Sequence, residues 1–218
     1  MQITENVLYK NNQLIALNKP SGLPTQSDRS GDKALLDIAE IYTKSPLHLI
    51  HRLDRPASGI VLFAKNKKCL AKLNEQFQNR TIKKTYLAVV KNHPSEKEGT
   101  LIHYLLKSQK KNRAFAHNEE KPNSKKAELN FKVIASIENY HLLEINLVTG
   151  RHHQIRAQLA KIDCPIKGDE RYGFKRGNKD RSIHLHAWKL EFRHPVTSDV
   201  VKLVAPLPDE VVWQAFNF

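Results

Sequence analysis

"HRLDRPASGIVLFAK", residues 51–65, places a single carboxylate, Asp54, between two arginines, Arg52 and Arg55. Small and turn-forming residues follow (Pro56, Ala57, Ser58, Gly59), then an unbroken apolar run, Ile60 to Ala64. A short apolar run bounded by turn residues reads as a strand buried on both faces. The stretch is then a turn bearing one acid at the mouth of a buried strand. An Asp in that place, beside a cation, favours its charged form. If it is also desolvated and oriented, it can serve as nucleophile or base. Taken alone, the triplet describes equally well a structural Asp in a turn.

The flanking sequence sets the architecture. "VLYKNNQLIALNKPSG", residues 7–22, reads as two short strands around an Asn-Asn turn, ended by Pro20 and Gly22. Residues 32–43 are weakly helical. After the apolar run, Asn66 can cap a helix in which Leu70, Leu73 and Phe77 recur at helical spacing. "TYLAVV" (85–90), "AELNFKVI" (127–134) and "YHLLEINLV" (140–148) read as strands. "RHHQIRAQLAKI" (151–162) reads as a short helix with Ile155, Leu159 and Ile162 on one side. "IHLHAWKLEF" (183–192) and "VVKLVAPLP" (200–208) form a late strand pair, and residues 209–216 a last helix. Strands outnumber helices and do not alternate with them. That argues for an α+β fold with a mixed, largely antiparallel sheet flanked by helices and loops, in a single domain over residues 1–218.

The chain has 218 residues, 36 Lys and Arg against 22 Asp and Glu, and a net charge of +14. A surplus of that size points to a polyanionic partner, usually nucleic acid. No apolar run reaches the ~18 residues that a membrane span needs, and the N-terminus lacks a signal-peptide pattern. Cys69 and Cys164 form no CxxC pair, so a reduced, cytoplasmic chain with buried thiols is expected. The cations cluster. Residues 65–91 carry eight Lys and Arg against Glu75 alone, and residues 151–181 carry nine against four acids. The stretch 107–126 carries seven against two and reads as an exposed hairpin tip or loop. Aromatics are only 7%, too few for the stacking platform of a single-strand binder. The pattern suits an enzyme gripping structured RNA.

A second polar segment, "TGRHHQIRAQLAKIDCPIKGDERYG" (149–173), lies at a strand–turn–helix junction. Arg151 falls near the helix start, where the helix dipole disfavours a cation. A residue placed against local preference often serves a partner elsewhere, such as a carboxylate from another segment.

With "HRLDRPASG", "KTYLAVV" and "TGRHHQIR…GDERYG" in this order, and "LNKPSGLPT" before them, the sequence resembles the RluA-type pseudouridine synthases from about Val7 to Ala205. The resemblance implies a mixed, largely antiparallel catalytic domain and an isomerase acting on ribosomal or transfer RNA. Ala57 stands where many members have Thr, and His152 where Thr or Ser is common. The S4-like N-terminal domain of several relatives is expected to be absent, because the NKPSG segment begins 18 residues in. Asp54 matches the family's essential aspartate, Tyr86 the tyrosine that packs on the target base, and Arg151 the arginine that pairs with the aspartate. Arg52 matches an arginine that fills the gap left by the extruded base. Arg55, Gln154 and Arg156 are expected RNA contacts, the last two with loop support as the other role.

The residues fit that chemistry. The target uridine must be flipped out of its helix, at a cost of a few kcal/mol. The carboxylate then attacks C1′ of the ribose or removes the C2′ proton. The C–N glycosidic bond breaks, the uracil turns, and C5 bonds to C1′. The uracil stays in the site, so no metal, nucleotide or redox cofactor is expected, and a monomer is. Two rivals remain. A non-catalytic structured-RNA-binding protein would keep the basic surface, yet has no need of an acid in a basic groove. A metal enzyme would use His152-His153 or His184-x-His186, but adjacent helical histidines diverge and no acidic cluster accompanies them.

Overall fold

A computed structural model describes residues 2–28 and 31–216. In chain order the elements are β1 (Val7–Lys10), β2 (Leu14–Lys19), α1 (Leu35–Thr43), β3 (His48–Leu49), β4 (Ser58–Ala64), α2 (Lys67–Gln78), β5 (Lys83–Val90), β6 (Glu98–Ser108), β7 (Arg113–His117), β8 (Lys125–Ile137), β9 (Tyr140–Leu147), α3 (Gln154–Lys161), β10 (Leu185–Arg193), β11 (Val200–Val204) and α4 (Val211–Gln214). The fold is α+β, with mixed pairing: β4 and β10 run parallel, and the pairs within β1-β2-β4, β3-β4, β10-β11 and β5-β9-β8-β6-β7 run antiparallel. Among the described residues no helix is long and apolar enough to cross a membrane. Contacts divide the chain into two compact units, Met1–Lys84 with His186–Pro208, and Thr85–Leu185 with Asp209–Phe218.

The first unit is built on β4, all seven of whose residues are buried. β2 runs antiparallel along it from Leu14 opposite Ala64 to Lys19 opposite Gly59. β1 follows β2 through the Asn-Asn turn, where Asn11 Oδ1 accepts the N–H groups of Gln13 and Leu14 at 2.9 and 2.8 Å. On the other side of β4, β3 pairs with its end and β10 with its start. α2 covers the sheet with Cys69 and Leu73, which pack among Leu14, Leu62 and Phe192. Each buried Leu of this kind contributes about 1.5–3 kcal/mol. The cap expected at Asn66 forms, its Oδ1 accepting Cys69 N–H at 2.9 Å.

The start of β4 is unusually tight. Gly59 has φ +111°, and a Cβ there would overlap the Ala187 carbonyl oxygen and lie 2.5 Å from the Ala187 nitrogen. Only a glycine lets β4 and β10 approach so closely. Beside it, Ser58 Oγ lies 2.8 Å from His186 Nδ1. His51 is equally structural: its Nε2 accepts Leu62 N–H at 3.1 Å, and its ring faces Phe77.

Burial holds the His186 imidazole down to about 4, from 6.5. The unfolded chain takes up that proton near pH 6.5 while the folded chain resists it until about pH 4. The histidine's contribution is therefore present above pH 6.5 and is lost as pH falls toward 4. The 2.5-unit difference corresponds to about 3 kcal/mol. Urea unfolding at pH 7 and pH 4.5 should show this loss, and His186→Gln should have a flatter stability profile between those values.

The second unit is an antiparallel sheet in the order β5-β9-β8-β6-β7, with α3 packed on β6 and β7. Two of its strands were not evident in the sequence, β6 and β7. The basic stretch 107–126, expected as a hairpin tip or loop, contains β7 and the turn that leads into β8. The tip of that turn is closed by Ser124, whose Oγ donates to Lys121 O and accepts Lys121 N–H. Short α4 docks through Glu210, whose Oε2 bonds His184 Nε2 at 2.9 Å, with Trp213 stacked on the His184 ring. His184 and His186 thus serve different partners in different units. Cys69 and Cys164 are both buried, and burial pushes the Cys164 thiol up to about 11.

Candidate active site

In the first unit, Asp54 opens a tight turn closed by Ala57 N–H donating to Asp54 C=O at 3.0 Å. The turn leads directly into β4, so the rigid strand sets its direction. The segment 18–25 grips it from the side. Thr25 Oγ1 donates to Leu53 O at 2.9 Å and accepts Leu53 N–H at 3.2 Å. Gly22 N–H donates to Arg55 O at 2.8 Å. Lys19 is wholly buried and donates to the carbonyls of Pro20, Leu23 and Arg55 at 2.9, 2.8 and 3.2 Å. Within "LNKPSGLPT" nothing local marks Lys19 as a site residue. Its role is to tie the end of β2 to the Asp54 turn.

The three carbonyls match the three N–H groups of an ammonium. Burial pulls the Lys19 amine from 10.5 down to about 7; Asp54 pulls it back up and Arg55 pushes it further down. Asp54, half-buried, thus lies close enough to the buried Lys19 ammonium to interact with it. Arg55 turns outward to Asp32 and Asp28, at 2.5 and 3.7 Å, and its Nε donates to Gly22 O. Arg52 is exposed.

In the second unit, Tyr86 is half-buried on β5, opposite Ile145 of β9. Arg151 is exposed in the loop before α3. Gln154 holds that loop: its Oε1 accepts Thr149 Oγ1–H and Arg151 N–H at 2.7 and 2.9 Å, and its Nε2 donates to Glu128 O. Arg151 Nε donates to Lys126 O at 3.2 Å. His153, at the helix N-cap, takes the left-handed conformation with φ 52°, which costs an L-residue about 1–2 kcal/mol. Its ring is fixed by a 3.0 Å bond from Nδ1 to the Tyr172 hydroxyl and by stacking on His152.

Gln154 and Arg156, expected to support the loop or to touch RNA, are both buried. They are 3% and 4% exposed. Arg156 clasps Asp169 through Nε and an amino group at 2.6 and 2.8 Å. Tyr172 lies between the guanidiniums of Arg113 and Arg156, at 4.7 and 4.9 Å from its ring centre. Its hydroxyl also accepts Ala114 N–H of β7. The "GDERYG" segment thus locks the hairpin to α3. Asp169→Asn leaves a buried guanidinium without its counter-charge and should cost about 3–5 kcal/mol, read as a lowered midpoint of urea unfolding.

A pocket of about 280 Å³ opens in the second unit. Lys107, Asn123, Lys125, Gly150, Arg151 and His152 form its polar wall, with Leu105 and Ala114 as its floor. Two of the three basic segments seen in the sequence meet here.

The sequence profile of the family described as RNA pseudouridylate synthase matches residues 13–161. An uncharacterized RNA pseudouridine synthase of Mycoplasma genitalium is 37% identical over 204 residues, covering 92% of this chain and 66% of that protein. The ribosomal large subunit pseudouridine synthase C of Rickettsia prowazekii is 33% identical over 217 residues, covering 94% and 69%. The chain spans about two thirds of the length of the curated relatives it matches. Among solved structures, human RNA pseudouridylate synthase domain containing 4 superposes with a TM-score of 0.77 at 26% identity, over 95% of this chain and 90% of that one. The profile covers more than half of the chain and includes Asp54, Tyr86 and Arg151, and with these relatives it shows that the protein belongs to the RNA pseudouridylate synthase family.

Proposed function

We infer that this isomerase converts uridine to pseudouridine in large-subunit ribosomal RNA, with Asp54 as the group that acts on the ribose. The observation that carries the reading is the mounting of Asp54: a lone acid on a turn pinned by Thr25, Gly22 and Lys19 and backed by a fully buried strand. A carboxylate that does chemistry must be held in one direction, and a binding protein has no use for such a mounting. Several relatives carry the name ribosomal large subunit pseudouridine synthase C, which supports the choice of RNA. Transfer RNA is the second substrate class. The profile match runs through both compact units, which supports one catalytic domain.

In this reading Arg151 orients Asp54 and Tyr86 offers an aromatic face to the loosened uracil. Arg52 fills the space left in the RNA stack. The reaction balances without a co-reactant. The C1′–N1 bond breaks, C1′–C5 forms, C5 loses its proton and N1 gains one. A reduced, cytoplasmic setting and a monomer fit this chemistry.

Loss of the C5 hydrogen supplies the test. RNA labelled with tritium at uridine C5 should release label to water when incubated with the protein. Release from large-subunit RNA, with none from small-subunit or transfer RNA, supports the full reading. Release from transfer RNA alone overturns the substrate. Binding without release from any RNA supports the non-catalytic alternative.

A further inference from the structure

Lys107 and Lys125 are exposed cations at the end of a sheet face that is otherwise buried. In the β6–β7 register Lys107 faces Ala114, and in the β6–β8 register Leu105 faces Lys125. Residues 105 and 107 point to the same side of β6, because side chains alternate along a strand. These four residues therefore share one face. That face is the one α3 covers: Leu105, Ala114 and Ala127 pack with Ala157 and Tyr172 in one buried cluster. The apolar face thus ends in two cations at the rim of the helix cover. They stand diagonally across adjacent strands, close enough to repel.

The third cation comes from the loop before α3. Arg151 lines the same pocket, and Gly150 leaves its wall without a side chain. The Arg151 guanidinium gives its Nε to Lys126 O, and no other bond of that side chain occurs among the described residues. No Asp or Glu lines the pocket. Of the acids carried by β8 and by the segment after α3, Glu128 meets Lys126, and Asp169 is buried against Arg156. Three cations around an acid-free hollow of about 280 Å³ create a positive potential that an anion relieves. The volume lies at or below the low end of small-ligand pockets, which suits a single phosphate group with its sugar.

We propose that this pocket is a phosphodiester site, in which Lys107 and Lys125, with Arg151 at its edge, hold one phosphate of the RNA near the target uridine. The proposal rests on the RNA substrate inferred above. Arg151 belongs to both the pocket and the proposed machinery, so the phosphate held here lies close to the flipped nucleotide. The hairpin thereby fixes the place of one backbone phosphate. That is a means of choosing a uridine without reading a base, since phosphate contacts set register.

The test measures binding of a short substrate RNA by fluorescence anisotropy from 50 to 300 mM KCl, for the wild type, Lys107→Ala, Lys125→Ala and the double variant. Each single variant should bind about tenfold more weakly at 150 mM. If both lysines hold one phosphate, the slope of log Kd against log salt should fall by about 0.7–0.9 in the double variant, not twice that. The double variant should also lose less than the product of the single losses. Lys→Arg at either site should restore most of the affinity, which a role confined to packing would not allow. Unchanged affinity and slope in all three Ala variants overturn the proposal, as does weakening with no change of slope. Tritium release by the wild type is measured on the same RNA. Release with unchanged variants sinks the pocket alone, whereas no release from any RNA sinks the inferred activity alone.

Discussion

Asp54→Asn is expected to lower tritium release by at least about 10⁴-fold, since an amide is neither a nucleophile nor a base at neutral pH and removal of such a group costs factors of this order. RNA affinity should stay within a few-fold of the wild type. The fold should be intact, because the bonds that pin the turn use the main chain of residues 53–57 and the side chains of Lys19 and Thr25. Asn keeps the size of Asp and removes only its charge. The same variant separates catalyst from binder. Turnover that survives the substitution removes Asp54 from the chemistry and leaves the fold assignment standing. A circular-dichroism melt within a few degrees of the wild type completes the experiment.

Gly59→Ala should be the most damaging single methyl group in the first unit. The added carbon would overlap main-chain atoms of Ala187, which cannot swing aside as a flexible side chain can. At φ +111° the backbone is also strained for any L-residue. Relief requires parting β4 from β10, with loss of the Ser58–His186 contact. A destabilisation of about 3–5 kcal/mol or more is expected, seen as a sharp fall in the urea midpoint or as insoluble protein. Gly22→Ala is the matched control. Gly22 also has positive φ, at +82°, but nothing lies within 4 Å of its added carbon. Its cost should be only about 1–2 kcal/mol. Equal costs at the two positions would locate the effect in backbone strain and not in the close strand approach.

The elements legible in the sequence were those whose burial follows a simple period. β4 is apolar throughout and buried throughout. α2 has its cap and its stripe in the expected places. β6 was hidden because the face that carries Leu105 also carries the buried His103 and the exposed Lys107, which spoil any apolar alternation. β7 was hidden because its five residues, "RAFAH", begin and end with polar groups. α3 misled in another way. Residues 154–159 are all buried, although half of them are polar. A helix of that kind is stable only with partners from distant segments. Gln158 finds them in Leu101 and Ala127, and Arg156 in Asp169. Nothing within residues 151–162 announces those partners, and the sequence shows only the apolar side formed by Ile155, Leu159 and Ile162. At the site, Asp54 stood out as an acid among cations. Lys19 did not, because its meaning depends on a carbonyl 36 residues further along.

The grip on the Asp54 turn has a bearing on how the chain can change. Thr25, Gly22 and Lys19 all fasten to peptide groups, namely Leu53 N–H and C=O and the Arg55 C=O. Peptide groups are common to every residue type, so the acid's aim is insulated from substitution at its immediate neighbours. The vulnerable letters lie instead in the remote clamp, where exchanging one lysine or one threonine would disturb a carboxylate some thirty positions away.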